Sequence, residues 1–217
     1  MKFAEVILMT EKNFSNRDGE KVRGYFGNKF KDILEFHNHI DKVTFNYNPA
    51  FIQYKIIDRK PCIIGINQGA DLLIENLEKF DKLVINEEKI SVVPLLQLSF
   101  NSLKVEDNFY KYKFETLWFA LNSENYKKYK NKQLDLNTQL RNNIIEFFKM
   151  CDVWADKEII VKGNFKENIF IQKDVKIKGF FGEFITNVNL PTNISLGKRK
   201  SIGFGRIKNL GKVENTD

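Results

Sequence analysis

The sequence predicts an α+β chain built from two tandem units. Along residues 1–100, apolar positions switch between strand-like runs and three- and four-residue helical spacing, in the order strand, helix, strand, strand, helix, strand. Strand character then begins afresh over 110–121, followed by a long helical region and more strands. The length agrees with this division, because 217 residues, 42% of them hydrophobic, suffice for two small units that each bury a core.

Each element has its own justification. Residues 3–10 form an apolar run too short for a helix and read as a strand. A loop over 13–19 leads into a helix over 20–36, where Val22, Phe26, Phe30, Ile33 and Leu34 recur on one side, with His37 next on the same stripe. Asn38 and His39 break that pattern. Residues 43–47 and 51–57 are strand material separated by Asn48-Pro49, and 62–66 is another strand after Arg59-Lys60-Pro61. A second helix over 71–80 places Leu72, Leu73, Leu77 and Phe80 together, and 91–100 returns to strand. This is the element order of a split βαβ, or ferredoxin-like, unit.

The boundary falls near 101–108 and gives units of 1–104 and 105–217. In the second, 110–121 reads as strand and 123–150 as a polar, Lys-rich helical region whose main helix starts near Leu136-Asn137-Thr138. Ile144, Ile145, Phe148 and Cys151 make its buried stripe, so Cys151 is a core residue rather than a reactive thiol. Residues 158–161, 169–171, 175–177 and 180–188 are short strands, and no clear second helix follows. The second unit is therefore the more irregular, with extra β-hairpins.

Gly and Pro together occupy only 16 positions, which excludes collagen-like and low-complexity classes. No run approaches 18 uncharged apolar residues, and the first ten residues contain an acid and no small-residue cleavage site. No membrane association and a cytoplasmic location are expected. Cys62 and Cys151 lie too far apart for a C-x-x-C pair, which fits a reducing compartment. The net charge of +7 is unevenly placed: residues 1–100 balance 14 basic against 14 acidic side chains, whereas 101–217 carry 21 and 14. Such asymmetry fits either a polyanion-facing surface in the second half, toward nucleic acid or an anionic membrane, or a merely Lys-rich composition.

Both histidines of the chain, His37 and His39, stand where the first helix is expected to stop. Imidazoles titrate near pH ~6.5, so a positioned pair can pass protons at neutral pH without a metal or cofactor. RNA cleavage by its own 2′-hydroxyl needs such a pair, a base for the hydroxyl and an acid for the departing 5′-oxygen. Lys29, Lys31 or Tyr47 could offset charge on the phosphate. A packed or helix-capping role is the alternative for His37. A zinc site with the cysteines lacks the usual ligand spacing, so no metal is assigned.

The second candidate feature is the run 195–206. Gly197, Gly203 and Gly205 permit a tight turn and close backbone approach, and Lys198, Arg199, Lys200 and Arg206 supply four cations without an acid. Residues 195–212 hold six basic side chains and no acidic one. Such a loop can present N–H groups and cations to phosphates, although it matches neither nucleotide-binding glycine motif.

Together, the Gly197-x-x-x-x-x-Gly203-Phe204-Gly205 loop, the element order of the first half and a histidine just after the first helix resemble the CRISPR-associated repeat-RNA endoribonucleases of the RAMP superfamily. His37-Asn38-His39 looks most like the branch found in archaea and some clostridia. The chain departs from the family pattern at Ser195, where members often carry a further glycine. The resemblance implies two ferredoxin-like, RRM-like domains in tandem and metal-independent cleavage of precursor CRISPR RNA within each repeat. It also implies products with 5′-hydroxyl and 2′,3′-cyclic phosphate ends. On that basis His37 and His39 are the expected acid–base pair and Lys29 a stabiliser of the transition state. Gly197, Lys198, Arg199, Lys200, Ser201, Gly203, Phe204, Gly205 and Arg206 are the expected RNA contacts. CRISPR repeat RNA is the expected partner, with other CRISPR effector subunits or a second copy of the chain as further ones. The rival reading is a non-catalytic RAMP subunit that binds RNA without cutting it.

Overall fold

The first apolar run becomes β1 (Lys2–Met9), an inner strand of an antiparallel sheet in the computed structural model, which describes residues 1–36, 49–172 and 174–214. It pairs with β3 (Lys60–Ile66) on one side and β6 (Val93–Phe100) on the other, and β2 (Ile52–Ile57) lies beyond β3. The chain divides into two compact units, Met1–Asn101 with Ser201–Gly203, and Ser102–Lys200 with Phe204–Asp217. In the first, α1 (Gly19–Lys29) connects β1 toward β2, and α2 (Gln68–Glu75) connects β3 toward β6. The strand order β2-β3-β1-β6 with these crossovers is the ferredoxin-like arrangement expected from the sequence.

Three details differ from the sequence reading, the simplest being that the helix expected over 71–80 runs Gln68–Glu75 and is followed by a 3-10 turn over Leu77–Lys79. The helix expected to reach residue 36 ends at Lys29, and the chain resumes as a 3-10 turn over Leu34–Phe36. Positions 30 and 36 of a continuous helix would point about 120° apart. The break instead brings both rings into one core, with the Phe36 centroid 4.2 Å from Phe30 and 6.3 Å from Phe80. Tyr54, fully buried on β2, donates its hydroxyl to the Phe36 carbonyl at 3.1 Å, and burial pushes that phenol well above its ordinary pKa. An unexpected hairpin, β4 (Lys82–Ile85) with β5 (Glu88–Ser91), precedes β6. Its turn, Asn86-Glu87, has φ of 52° and 67°, a two-residue geometry usually signalled by glycine, which is why the pattern hid it. The strand expected over 43–47 lies outside the described residues.

The second unit repeats the permutation. β7 (Val105–Phe114), β8 (Val161–Gln172), β9 (Val175–Val188) and β10 (Ile207–Lys212) form an antiparallel sheet in the order β10-β7-β9-β8. The helical region splits into α3 (Ser123–Lys130) and α4 (Leu136–Met150), each opened by a side chain that accepts a backbone N–H: Asn122 from Asn125 and Asp135 from Thr138. The four short strands expected after it are one long hairpin, because Lys and Asn side chains punctuate strands whose alternate face meets water. The strand expected over 110–121 starts earlier and stops at Phe114. Trp118 and Phe119 continue only as isolated bridges to Phe180 and Lys198. β10 lies in a segment where no strand was expected. Cys151 is buried, and burial pushes its thiol up to about 11, consistent with a core role. Among the described residues, no helix is long and apolar enough to cross a membrane.

Where an ideal repeat would carry its second helix, between β9 and β10, the chain has the glycine-rich segment, with a single 3-10 turn at Lys200–Ile202. The missing helix of the sequence reading is thus a loop.

Phe36 carries the packing argument of the first unit. Truncating it to Ala is expected to lower the unfolding free energy by about 3–5 kcal/mol, as for other fully buried rings. Urea denaturation of Phe36→Ala measures it, and a loss under about 1 kcal/mol would contradict the aromatic anchor.

Candidate nucleic-acid interface

The glycine-rich loop is held from below by a short antiparallel ladder. Leu196 N–H donates to Gly205 O at 2.9 Å, Ile207 N–H to Ile194 O at 2.9 Å, and Asn193 N–H to Ile207 O at 2.8 Å. The loop is also tied to the segment after β7. Gly205 N–H donates to Leu117 O at 2.9 Å, Lys198 N–H to Phe119 O at 3.0 Å, and Arg206 N–H to Thr116 Oγ1 at 2.8 Å. Two glycines allow these approaches. At Gly205, φ is +66° and a Cβ would lie 2.0 Å from the Leu196 carbonyl oxygen; at Gly197, φ is +82° and a Cβ would lie 2.6 Å from the Trp118 indole nitrogen. Ser195 is buried in the ladder opposite Arg206 and has no positive φ, so no glycine is required there.

The tip presents its cations unequally. Lys198 and Arg199 are exposed. The Arg199 guanidinium lies 5.6 Å from the Phe119 ring centroid and donates to Gln172 Oε1 at the end of β8. Phe204 closes the same corner, with its ring 4.7 Å from Phe119 and 5.3 Å from Phe170 of β8. The tip of the loop and the end of the β8–β9 hairpin therefore meet through three phenylalanines and an arginine. Lys200 is drawn down to Glu146 of α4 at 2.5 Å, and Arg206 donates to Asn193 Oδ1 at 3.1 Å. These two cations brace the loop, while Lys198 and Arg199 face outward.

Ser201, Ile202 and Gly203 belong to the first unit. A Cβ on Gly203, where φ is +88°, would lie 3.0 Å from the Tyr54 carbonyl oxygen and 3.5 Å from Lys55 Cγ. Lys55 itself is buried, and its ammonium donates to Gln53 Oε1 at 2.7 Å. On the same face of the sheet Cys62 Sγ lies 3.2 Å from a carboxylate oxygen of buried Glu5. This polar cluster was missed by the sequence reading. Its signal is the alternation in 52–56, where Gln53 and Lys55 share a face opposite Ile52, Tyr54 and Ile56.

His37, His39 and Tyr47 lie outside the described residues. The residues flanking them are well placed: Phe36 is fixed in the aromatic core, and on the far side Phe51 N–H donates to Pro49 O at 2.9 Å beside buried Ala50. Lys29, at the end of α1, donates to the Lys79 carbonyl and pairs with Asp81 at 3.2 Å, and that hydrogen bond holds the Asp81 carboxyl below its usual range.

Comparison with known proteins fits this geometry. The Cas6b N-terminal domain model matches residues 1–107 and the Cas6b C-terminal domain model matches residues 104–210. A crystal structure of Cas6b is 30% identical, covers 97% of this chain and 100% of its own, and superposes with a TM-score of 0.86. A second, of the CRISPR RNA processing endoribonuclease Cas6b, is 29% identical over the same shares with a TM-score of 0.73. An uncharacterized protein of Methanocaldococcus jannaschii is 32% identical over 117 residues, 51% of this chain and 80% of that protein. A more distant product complex of Cas6, 11% identical with a TM-score of 0.58 over 97% of this chain and 100% of the other, shares the fold. Both domain models match in order along nearly the entire sequence, and the tandem ferredoxin-like fold is shared from end to end: the chain belongs to the Cas6b family.

Proposed function

We propose that the chain is an endoribonuclease that cuts precursor CRISPR RNA within its repeats without a metal ion. The observation that carries this reading is its likeness, over 97% of its length, to a protein described as a CRISPR RNA processing endoribonuclease. In this reading CRISPR repeat RNA is the substrate and the cytoplasm the place of action.

The chemistry uses the substrate's own nucleophile. One of His37 and His39 takes the proton of a 2′-hydroxyl, and that oxygen attacks the adjacent phosphorus. The bond from phosphorus to the 5′-oxygen breaks, and the other histidine protonates the leaving oxygen. The ends are a 2′,3′-cyclic phosphate and a 5′-hydroxyl, and no metal-activated water is needed. Lys29 serves as a charge stabiliser only by leaving Asp81 and the Lys79 carbonyl, which makes it the weakest member of the set. Lys198 and Arg199 at the loop tip bind RNA phosphates, with backbone N–H groups of the glycine loop beside them.

Replacing both His37 and His39 with Ala is expected to abolish cleavage of repeat RNA in EDTA while leaving its binding within about twofold of wild type. Undiminished cutting by the double variant would overturn the assignment, and loss of wild-type cutting in EDTA would overturn metal independence. Reversal of the loop tip, Lys198→Glu with Arg199→Glu, is expected to weaken RNA binding at least tenfold and to lower the slope of log affinity against log salt by about 1.4, two phosphate contacts on a single strand. An unchanged slope would remove the tip from the interface.

A further inference from the structure

A second cationic surface lies on the other face of the same hairpin. Along β8, Phe170 and Gln172 face the glycine loop, so Ile169 and Ile171, which alternate with them, face the opposite way, together with Lys178 and Lys176, their cross-strand partners on β9. That opposite face meets α3. Tyr126 and Tyr129, three residues apart on the helix, lean toward β9, where the Tyr129 ring contacts Phe180 at 5.5 Å between centroids. The Lys178 ammonium stands 5.5 Å from the Tyr126 centroid and 5.4 Å from that of Tyr129, and Lys130 stands 5.5 Å from Tyr126.

The charge here is lopsided. Residues 123–132 contain Lys127, Lys128, Lys130 and Lys132 against a single acid, Glu124, which is paired with Lys128 at 2.7 Å. Glu167 pairs with Lys178 at 2.7 Å and comes within 3.4 Å of the Tyr129 hydroxyl. Exposed Lys130, Lys132 and Lys176 form no ion pair among the described residues. Beside them Ile169 and Ile171 stand 57% and 59% exposed on the edge strand of the sheet. Cations alternating with tyrosine rings and bare aliphatic side chains are the chemistry that takes a single-stranded polynucleotide, phosphates on the ammoniums and bases against the apolar groups.

We infer that α3 and the outer face of the β8–β9 hairpin form a second, separate RNA-binding surface that holds single-stranded RNA flanking the segment gripped by the glycine loop. This rests on the RNA-processing reading above. It places two contact areas on opposite faces of one hairpin, so RNA occupying both must pass around the hairpin or its end.

The test compares wild type with Lys130→Glu plus Lys176→Glu, which are exposed and unpaired, and with Tyr126→Leu, which keeps an apolar side chain at the position. The probe is a repeat RNA carrying single-stranded flanks, and the readouts are affinity against salt and the cleavage rate at saturating RNA. The Lys variant is expected to bind about tenfold more weakly with a salt slope lower by about 1.4, and to cut at the wild-type rate once saturated. Its loss should multiply with that of the loop-tip variant, as for independent contacts. Tyr126→Leu is expected to weaken binding by several-fold with an unchanged slope. Wild-type binding with unchanged affinity and slope in the Lys variant overturns the second surface, as does equal loss in a variant with two charges reversed elsewhere, Lys82→Glu plus Lys89→Glu. Absence of binding and cleavage by the wild type itself would instead overturn the RNA-processing reading.

Discussion

The basic loop exists in its present shape because residue 205 has no side chain. A methyl group there would sit 2.0 Å from the Leu196 carbonyl oxygen, inside the distance at which atoms repel strongly, in a backbone region that already disfavours other residues. With glycine at 205, the two arms of the loop close into a ladder, and the segment after β7 adds hydrogen bonds through Leu117 and Phe119. The rest follows from that closure. Arg206 and Lys200 turn inward to brace the loop, Phe204 joins Phe119 and Phe170, and Lys198 and Arg199 are left facing out. A flexible cationic tail would give charge without direction; the closed loop gives both.

The same economy shows in the first unit. Ending α1 at Lys29 sacrifices two turns of helix, and in exchange Phe30, Phe36 and Phe80 share one core, with Tyr54 donating to the Phe36 carbonyl. The chain therefore enters the histidine segment from a fixed position. Local propensity alone would have carried the helix onward, and tertiary packing overrode it.

Much of this was legible in the sequence, for identifiable reasons. Strand and helix order in the first unit was readable because the apolar periods are long and unbroken, and Leu136 as the start of α4 because Asp135 supplies its cap. What escaped was carried by residues with unusual backbone angles or by alternation that charged side chains obscured. The Asn86-Glu87 turn lacks glycine; β8 and β9 are half-exposed and so looked fragmentary; β10 hid inside a basic, glycine-containing run. Within the candidate site, the sequence located the cations of the loop but could not say which face outward. Lys200 and Arg206 resemble Lys198 and Arg199 in the chain, and only Glu146 and Asn193, distant in sequence or bent back on it, separate them. The Tyr126 and Tyr129 surface was concealed similarly, since Lys178 reaches it from a strand 49 or more residues away.

In the proposed chemistry RNA supplies the attacking oxygen. Its most direct measurement is cleavage of a synthetic repeat RNA, in EDTA, with a single 2′-deoxy substitution placed immediately 5′ of the scissile phosphate. The account predicts that this RNA binds as tightly as the unmodified one and is not cut, while the unmodified RNA yields 2′,3′-cyclic phosphate and 5′-hydroxyl ends. Cutting of the 2′-deoxy RNA at the same site and rate would contradict it.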